Sequence, residues 1–155
     1  MANTNSHGQI RQMGTLGDSA VDGLLAGAMA GALMAAYLVV AGLMQGEAKR
    51  VMLARFDPRA DASPVVGLFT HLAVASVYGA LFGLGWRMMA RVWPRSLAWL
   101  AGLAYGLILL GLAQALLLPD AASALRIIPA VHFAIAHGWY GLALGFGVAQ
   151  RRHNA

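Results

Sequence analysis

Residues 23–46 read GLLAGAMAGALMAAYLVVAGLMQG and carry no charged side chain. Three further stretches of 24 or 25 residues share this property, namely residues 62–86, 96–119 and 127–150. An α-helix needs about 20 apolar residues to cross a bilayer core of about 30 Å. A soluble helical bundle would instead place polar residues on the outer face of every turn, and these stretches do not. The sequence therefore predicts an integral membrane protein.

The composition supports this prediction and limits the chemistry. Of the 155 residues, 59% are hydrophobic and 11% are charged, whereas an average soluble protein has about 25% charged residues. The absence of cysteine excludes disulfides and thiolate metal sites. The net charge of +5 comes from arginines in the loops, where basic residues set membrane orientation and lipid contact. The expected partners are the lipid bilayer and other membrane protein subunits or further copies of this chain, and no nucleic acid is expected.

The predicted fold class is all-α, an integral membrane four-helix bundle. The predicted parts are a flexible polar tail at 1–18, a transmembrane domain at 19–150 with spans at about 21–44, 64–88, 96–118 and 128–149, and a C-terminal tail at 151–155. Ser19 with Asp22 matches a capping box for the first helix. The connection EAKRVMLARFDPRAD, residues 47–61, fits either a short amphipathic helix on the membrane surface or a solvated loop.

An internal repeat links the second and fourth stretches. Residues 71–83 read HLAVASVYGALFG, and residues 132–145 read HFAIAHGWYGLALG. A weaker similarity links the first and third stretches, so the repeating unit is a transmembrane hairpin. Two such units have the same orientation and would be related by an axis along the membrane normal.

Glycines four residues apart lie on one face of every predicted span. Such spacing lets the backbones of membrane helices approach closely. Packing within the bundle is the expected role, and the same faces could accommodate a flat cofactor or the helices of a partner. These glycines are Gly23, Gly27, Gly31, Gly79, Gly83, Gly102, Gly106, Gly141 and Gly145.

The histidines in the apolar stretches are the candidate cofactor-binding residues. His71 and His132 lie at similar predicted depth, and His137 lies further in. One hypothesis is that each histidine forms a hydrogen bond across helices to a backbone carbonyl or a hydroxyl. The alternative is axial ligation of haem b by His71 with His132 or His137. A third is a catalytic or metal-transport role, for which no carboxylate or cysteine companions are present.

The sequence does not predict an enzyme acting alone. It contains no Ser-His-Asp arrangement, nucleophile elbow or phosphate-binding loop, and no charged residue deep in a span that would mark a carboxylate-driven pump. The expected function is a non-catalytic subunit or accessory protein of a membrane complex, such as one for respiratory or photosynthetic electron transfer. The alternatives are a haem-b-binding electron-transfer subunit and a small oligomeric channel or carrier.

Loop charges predict the orientation. The side that holds both termini carries six basic residues, three of them in the loop at 87–95, and the opposite side carries five. The positive-inside rule then places both termini in the cytoplasm.

Three segments together resemble a known group of proteins. HLAVASVYGALFG, then AGLAYGLILL with LLLP after it, then AHGWYGLALGF are similar to the YagU-like type of small uncharacterised bacterial membrane proteins with four helices. The resemblance covers most of residues 21–148. It implies a location in the bacterial inner membrane. In this pattern His71 and His137 are the matching histidines, and His132 is an additional one. The resemblance implies no activity.

Overall fold

The chain folds into helices throughout the part that the structure, a computed structural model, describes: residues 15–59, 61–116 and 124–151. Five α-helices follow one another in this part, and short 3₁₀ turns at Arg95–Leu97 and Ala124–Ile127 precede the last two. The five are α1 (Leu16–Met44), α2 (Lys49–Ala54), α3 (Pro64–Met89), α4 (Ala98–Leu116) and α5 (Ala130–Arg151). The all-α prediction is therefore confirmed for the described residues.

Three segments of the described part are long and apolar enough to cross a membrane: α1, α3, and α4 together with the 3₁₀ turn before it. The predicted count of four helices is not confirmed, because α2 adds a fifth helix and α5 is not among these three. The sequence of α5 explains its lower hydropathy, since its 22 residues include two histidines, four glycines and Gln150.

α1 begins earlier than predicted. Thr15 is its N-cap, with the Thr15 hydroxyl accepting from the Asp18 amide at 3.1 Å and the Asp18 carboxylate accepting from the Thr15 amide at 2.6 Å. The predicted Ser19–Asp22 capping box is therefore wrong, and residues 16–18 are helical although the tail was predicted to reach 18. Residues 1–14 and 152–155 of the predicted tails lie outside the described residues. At α3, Ser63 is the N-cap and Pro64 opens the first turn, as expected of proline.

Glycine faces join the helices in two pairs. In the first pair, a Cβ added at Gly27 of α1 would lie 2.8 Å from the Gly79 Cα of α3. In the second, a Cβ added at Gly102 of α4 would lie 2.8 Å from the Gly145 Cα of α5. Each of the nine predicted glycines lies against the opposing helix in this way, so the glycine faces are filled by the chain itself.

The same contacts recur in both pairs. A Cβ at Gly83 would meet the Ser19 carbonyl oxygen, and one at Gly145 would meet the Ala98 carbonyl oxygen. Gly83 lies one turn after the packing glycine Gly79 in α3, and Gly145 lies one turn after the packing glycine Gly141 in α5. The pairs α1–α3 and α4–α5 thus pack through glycines at corresponding positions.

The two pairs join along α1 and α5, while α3 and α4 approach each other mainly through side chains. Gly147 of α5 faces Ala26 of α1, where a Cβ would lie 3.1 Å from the alanine methyl. The Phe82 and Tyr105 rings bridge α3 and α4 with their centroids 5.2 Å apart. The largest fully buried side chains are Trp86, Leu38, Leu144 and Val148.

α2 folds back against the long helices. Met52 is buried at Gly42, where an added Cβ would meet its Cγ and Sδ atoms. Gly67 of α3 lies directly under the Leu53 carbonyl oxygen. Lys49 and Arg50, at the start of α2, are exposed. The sequence left open whether this connection forms a short helix or a loop, and the structure has a helix of six residues.

Candidate functional site

His71 connects α3 to α1. Its Nε2 lies 3.0 Å from the Gly31 carbonyl oxygen, and because a carbonyl only accepts, Nε2 is the protonated nitrogen. The imidazole also stacks on Phe56, which follows α2, with ring centroids 4.4 Å apart and an interplanar angle of 28°. The histidine therefore acts in this structure as a hydrogen-bond donor and a flat packing surface.

His132 connects α5 to α1. Its Nδ1 lies 2.9 Å from the Tyr37 hydroxyl oxygen. The two rings are tilted by 48°, with centroids 6.0 Å apart. As the third residue of α5, His132 lies near the end of the bundle where α1 ends and α3 begins.

His137 is buried within α5. Its Nδ1 donates to the Phe133 carbonyl oxygen one turn earlier, at 2.8 Å. The Phe133 ring packs edge-on against the imidazole, with the two ring centroids 4.5 Å apart. His137 is the eighth residue of α5, as His71 is the eighth of α3. The pair at matching depth is thus His71 with His137, whereas the sequence placed His71 level with His132.

Two tyrosines donate to carbonyl oxygens of α3. The Tyr140 hydroxyl of α5 donates to Ala75 at 2.7 Å, and the Tyr105 hydroxyl of α4 donates to Tyr78 at 2.9 Å. No buried side-chain nitrogen or oxygen among the described residues lacks a hydrogen-bond partner. The polar groups inside the bundle are thus satisfied by the chain, as buried polar groups require.

A haem held by two histidines needs an unprotonated ring nitrogen from each of them and a flat slot for the macrocycle between the rings. Because the Nε2 of His71 donates to Gly31, its unprotonated nitrogen is Nδ1, and Phe56 stacks on the face of the ring. Two cavities of about 110 and 340 Å³ lie near the start of α5, and neither is lined by His71 or His137. Opposing backbones fill the glycine faces, so the arrangement offers no support for haem between these histidines.

The smaller cavity has a more polar lining than the larger one, and we call it the interfacial pocket. It is lined by Gln45, Glu47, Arg55 and His132 together with apolar residues of α1, α2 and the 3₁₀ turn before α5. Arg55 donates to the Glu47 carboxylate and to the Met52 sulfur, at 2.9 Å each. The Gln45 amide donates to the Ala41 carbonyl oxygen at the end of α1. At about 110 Å³, the pocket is large enough to hold water molecules.

The sequence did not single out Glu47 and Arg55 as a pair. They lie eight residues apart across the start of α2, so no helical spacing signals the contact. Because the two charges neutralise each other, the pair carries no net charge and does not form a charged site. Across the described residues, no three His, Cys, Asp or Glu side chains converge as metal ligands would.

Asp57 organises the turn between α2 and α3. It is 4% exposed and accepts hydrogen bonds from the Arg59 side chain, at 2.8 to 3.2 Å, and from the backbone amides of Arg59 and Ser63. The Arg59 side-chain hydrogen bonds, with the Ser63 amide next in effect, hold the pKa of Asp57 well below its ordinary value. The same contact raises the pKa of Arg59. The pair stays ionised and fixes the start of α3.

Comparison with known proteins returned no match: no family model, no curated protein and no solved structure is similar to this chain at a significant level. The resemblance to YagU-like proteins therefore stays a prediction. What the chain does has to be argued from its own residues.

Proposed function

We propose that this protein is a non-catalytic integral membrane subunit that packs against other membrane proteins or against its own copies. One observation carries the proposal: the described polar interior is fully hydrogen-bonded within the chain. His71, His132 and His137 each have a backbone or tyrosine partner. An interior of this kind stabilises a bundle, which supports a packing role.

The outer surface supplies positions where a partner helix would fit. Gly111 of α4 is exposed, with open space where a Cβ would be, and Ala115 lies one turn later on the same exposed face. Small residues four apart allow another helix to approach closely in lipid. Ile108, 66% exposed, lies beside Gly111 on this surface. We take this face of α4 as the partner-binding face.

The proposed arrangement in the membrane has four spans, with α5 as the fourth, formed by the repeated hairpins α1–α3 and α4–α5. The corresponding glycine contacts in the two pairs support this arrangement. The burial of α5 supports it as well, since Leu144 and Val148 of this helix are among the most buried side chains. A helix that packs against two others needs less hydropathy than one surrounded by lipid.

Both termini are proposed to lie in the cytoplasm of a bacterial inner membrane. The chain has no cysteine, so single cysteines at Ser96 and Arg50 can report topology without background. Both positions are exposed, and they lie at opposite ends of the bundle. A maleimide that cannot cross membranes should label Arg50→Cys in intact cells and Ser96→Cys only after lysis. The reverse pattern would invert the orientation, and equal labelling would contradict a spanning arrangement.

Site-specific photo-crosslinking tests the subunit proposal. A photoreactive amino acid replaces Gly111 in one variant and the exposed Ala36 of α1 in a control variant, both in the native membrane. We expect Gly111 to give one protein adduct of defined mass, with copies of the chain or with another subunit, and Ala36 to give mainly lipid adducts. Lipid adducts alone at both positions would contradict the proposal. An assignment to electron transfer further requires that the captured protein carries a redox cofactor.

A further inference from the structure

The turn between α3 and α4, residues 90–97, carries exposed basic side chains that form no ion pair with another described residue. Hydrogen bonds from the Trp93 amide to the Met89 carbonyl, at 2.9 Å, and from the Leu97 amide to the Pro94 carbonyl, at 3.0 Å, order this turn. Arg91 and Arg95 are both exposed on it. The backbone thus holds two guanidinium groups at one end of the bundle.

The surrounding residues do not neutralise these charges. The sequence from 62 to 119 contains no Asp or Glu. The acidic residues of the described part at this end are Asp18 and Asp22 of α1, and Asp18 is engaged with Thr15. Arg87, one turn before the α3–α4 turn, is held by the Thr15 carbonyl at 3.1 Å and the Ser19 hydroxyl at 3.4 Å.

The opposite end of the bundle is different. Both ion pairs of the described residues lie there, Arg55 with Glu47 and Arg59 with Asp57. Arginines at that end are therefore partly neutralised by the chain itself. Arg91 and Arg95 have no such carboxylate partner among the described residues, so they are available to a counter-charge from another molecule.

Apolar side chains beside these arginines indicate which molecule that is. Met88, Val92 and Trp93 are 72%, 80% and 43% exposed at this end. Tryptophan is enriched at headgroup level, where its ring meets both apolar and polar surroundings, and arginine there extends its charged group towards the phosphates. A soluble acidic partner would leave the apolar side chains unexplained, whereas a lipid leaflet covers both kinds of side chain.

We propose that the α3–α4 turn binds the headgroups of anionic phospholipids, with Arg91 and Arg95 contacting lipid phosphates and with Val92 and Trp93 lying among the upper acyl chains. Guanidinium groups form strong charge-assisted hydrogen bonds with phosphate oxygens. Each basic residue near an anionic leaflet is worth about 1 kcal/mol, or about fivefold in affinity. The proposal rests on membrane insertion and not on the partner-binding face of α4, so the two can fail separately.

The test uses the full chain in mild detergent, with bound lipids counted by native mass spectrometry during titration with phosphatidylglycerol or phosphatidylcholine. The variant is Arg91→Gln with Arg95→Gln. The matched control is Lys49→Gln with Arg50→Gln, which removes the same charge from exposed positions at the opposite end. We expect the wild type to prefer phosphatidylglycerol, the arginine variant to lose about 25-fold in affinity for it, and the control to change less than threefold.

Three results would overturn the proposal. The first is equal affinity of the wild type for the two lipids. The second is an equal loss of affinity for phosphatidylglycerol in the variant and the control, which would mean that only total charge matters. The third is displacement of the lipid by inorganic phosphate at millimolar concentration, which would make the turn a site for free anions. Unchanged thermal unfolding of both variants checks that the fold is intact.

Discussion

The Tyr140 hydroxyl of α5 donates a 2.7 Å hydrogen bond to the Ala75 carbonyl oxygen of α3. A Cβ added at Gly27 of α1 would meet the same oxygen. Three helices from both glycine-packed pairs thus converge on one carbonyl. Because Tyr140 is 3% exposed, no water or headgroup replaces this hydrogen bond if it is lost.

Tyr140→Phe should therefore destabilise the bundle slightly while keeping its shape. Interhelical hydrogen bonds in membrane proteins are worth about 0.6 kcal/mol on average and up to about 1.7 kcal/mol. We expect a loss of about 1 kcal/mol in the free energy of unfolding, measured by circular dichroism in mixed detergents. Tyr78→Phe is the control, since its hydroxyl has no hydrogen-bond partner in the described part of the chain. Equal losses in both variants would show that the Tyr140–Ala75 hydrogen bond contributes nothing specific.

Gly79→Ala should weaken the α1–α3 pair. The added methyl would lie 2.5 Å from the Gly27 Cα, and backbone cannot yield as a flexible side chain can. Overpacking of this kind costs about 1–3 kcal/mol. Gly141→Ala should have a similar effect on the α4–α5 pair, because its methyl would meet the Gly102 carbonyl.

Gly85→Ala provides the matched control for these two variants. Nothing lies within 4 Å of a Cβ at Gly85, and alanine is favoured over glycine in a helix by about 1 kcal/mol. We expect Gly85→Ala to be neutral or stabilising in the same unfolding measurement. A loss equal to that of Gly79→Ala would mean that glycine packing is not what holds α1 against α3.

The glycine contacts were predictable because they depend on local spacing alone. Residues four apart share a helix face in any α-helix, so Gly23, Gly27 and Gly31 had to form one surface. The long helices were predictable for a similar reason, since absence of charge over 24 residues is a property of one segment. α1 shows the limit: Thr15–Asp18 and Ser19–Asp22 both match the capping pattern, and spacing cannot choose between them.

The histidine partners were not predictable, because they depend on which helices become neighbours. Gly31 and His71 are 40 residues apart, and Tyr37 and His132 are 95 apart. The exact depth of His137 depended on the start of α5, which lies at Ala130 rather than near 128 and makes His137 the eighth residue of its helix, as His71 is of α3. Periodicity identified the polar residues inside the bundle, and only packing determined what each one contacts.

The visible absorption spectrum tests the role of these histidines. Because opposing backbones fill the glycine faces and Phe56 stacks on the His71 ring, we expect purified protein to show no Soret band, whether oxidised or reduced with dithionite. His71→Ala should lower the unfolding temperature, because it removes the hydrogen bond and the ring that stacks on Phe56. A Soret band that disappears in His71→Ala and His137→Ala would instead establish the haem alternative.

Acid should destabilise the turn between α2 and α3 through Asp57. The pKa of Asp57 is lowered in the folded protein, so the unfolded chain binds a proton more readily. The stabilisation is therefore complete above the unfolded value of about 4 and is lost as the pH falls below it towards the folded value. We expect the unfolding temperature in detergent to fall between pH 4 and pH 2.5.

Two variants separate Asp57 from general acid effects. Asp57→Asn removes the titrating group and breaks its pairing with Arg59, so it should unfold at a lower temperature at pH 7 and show a flatter decline in acid. Asp61→Asn removes the same charge from an exposed position and should follow the wild type at every pH. If the wild type and Asp57→Asn decline in parallel below pH 4, the acid sensitivity arises elsewhere, and the hydrogen bonds to Arg59 and Ser63 do not control the stability of this turn.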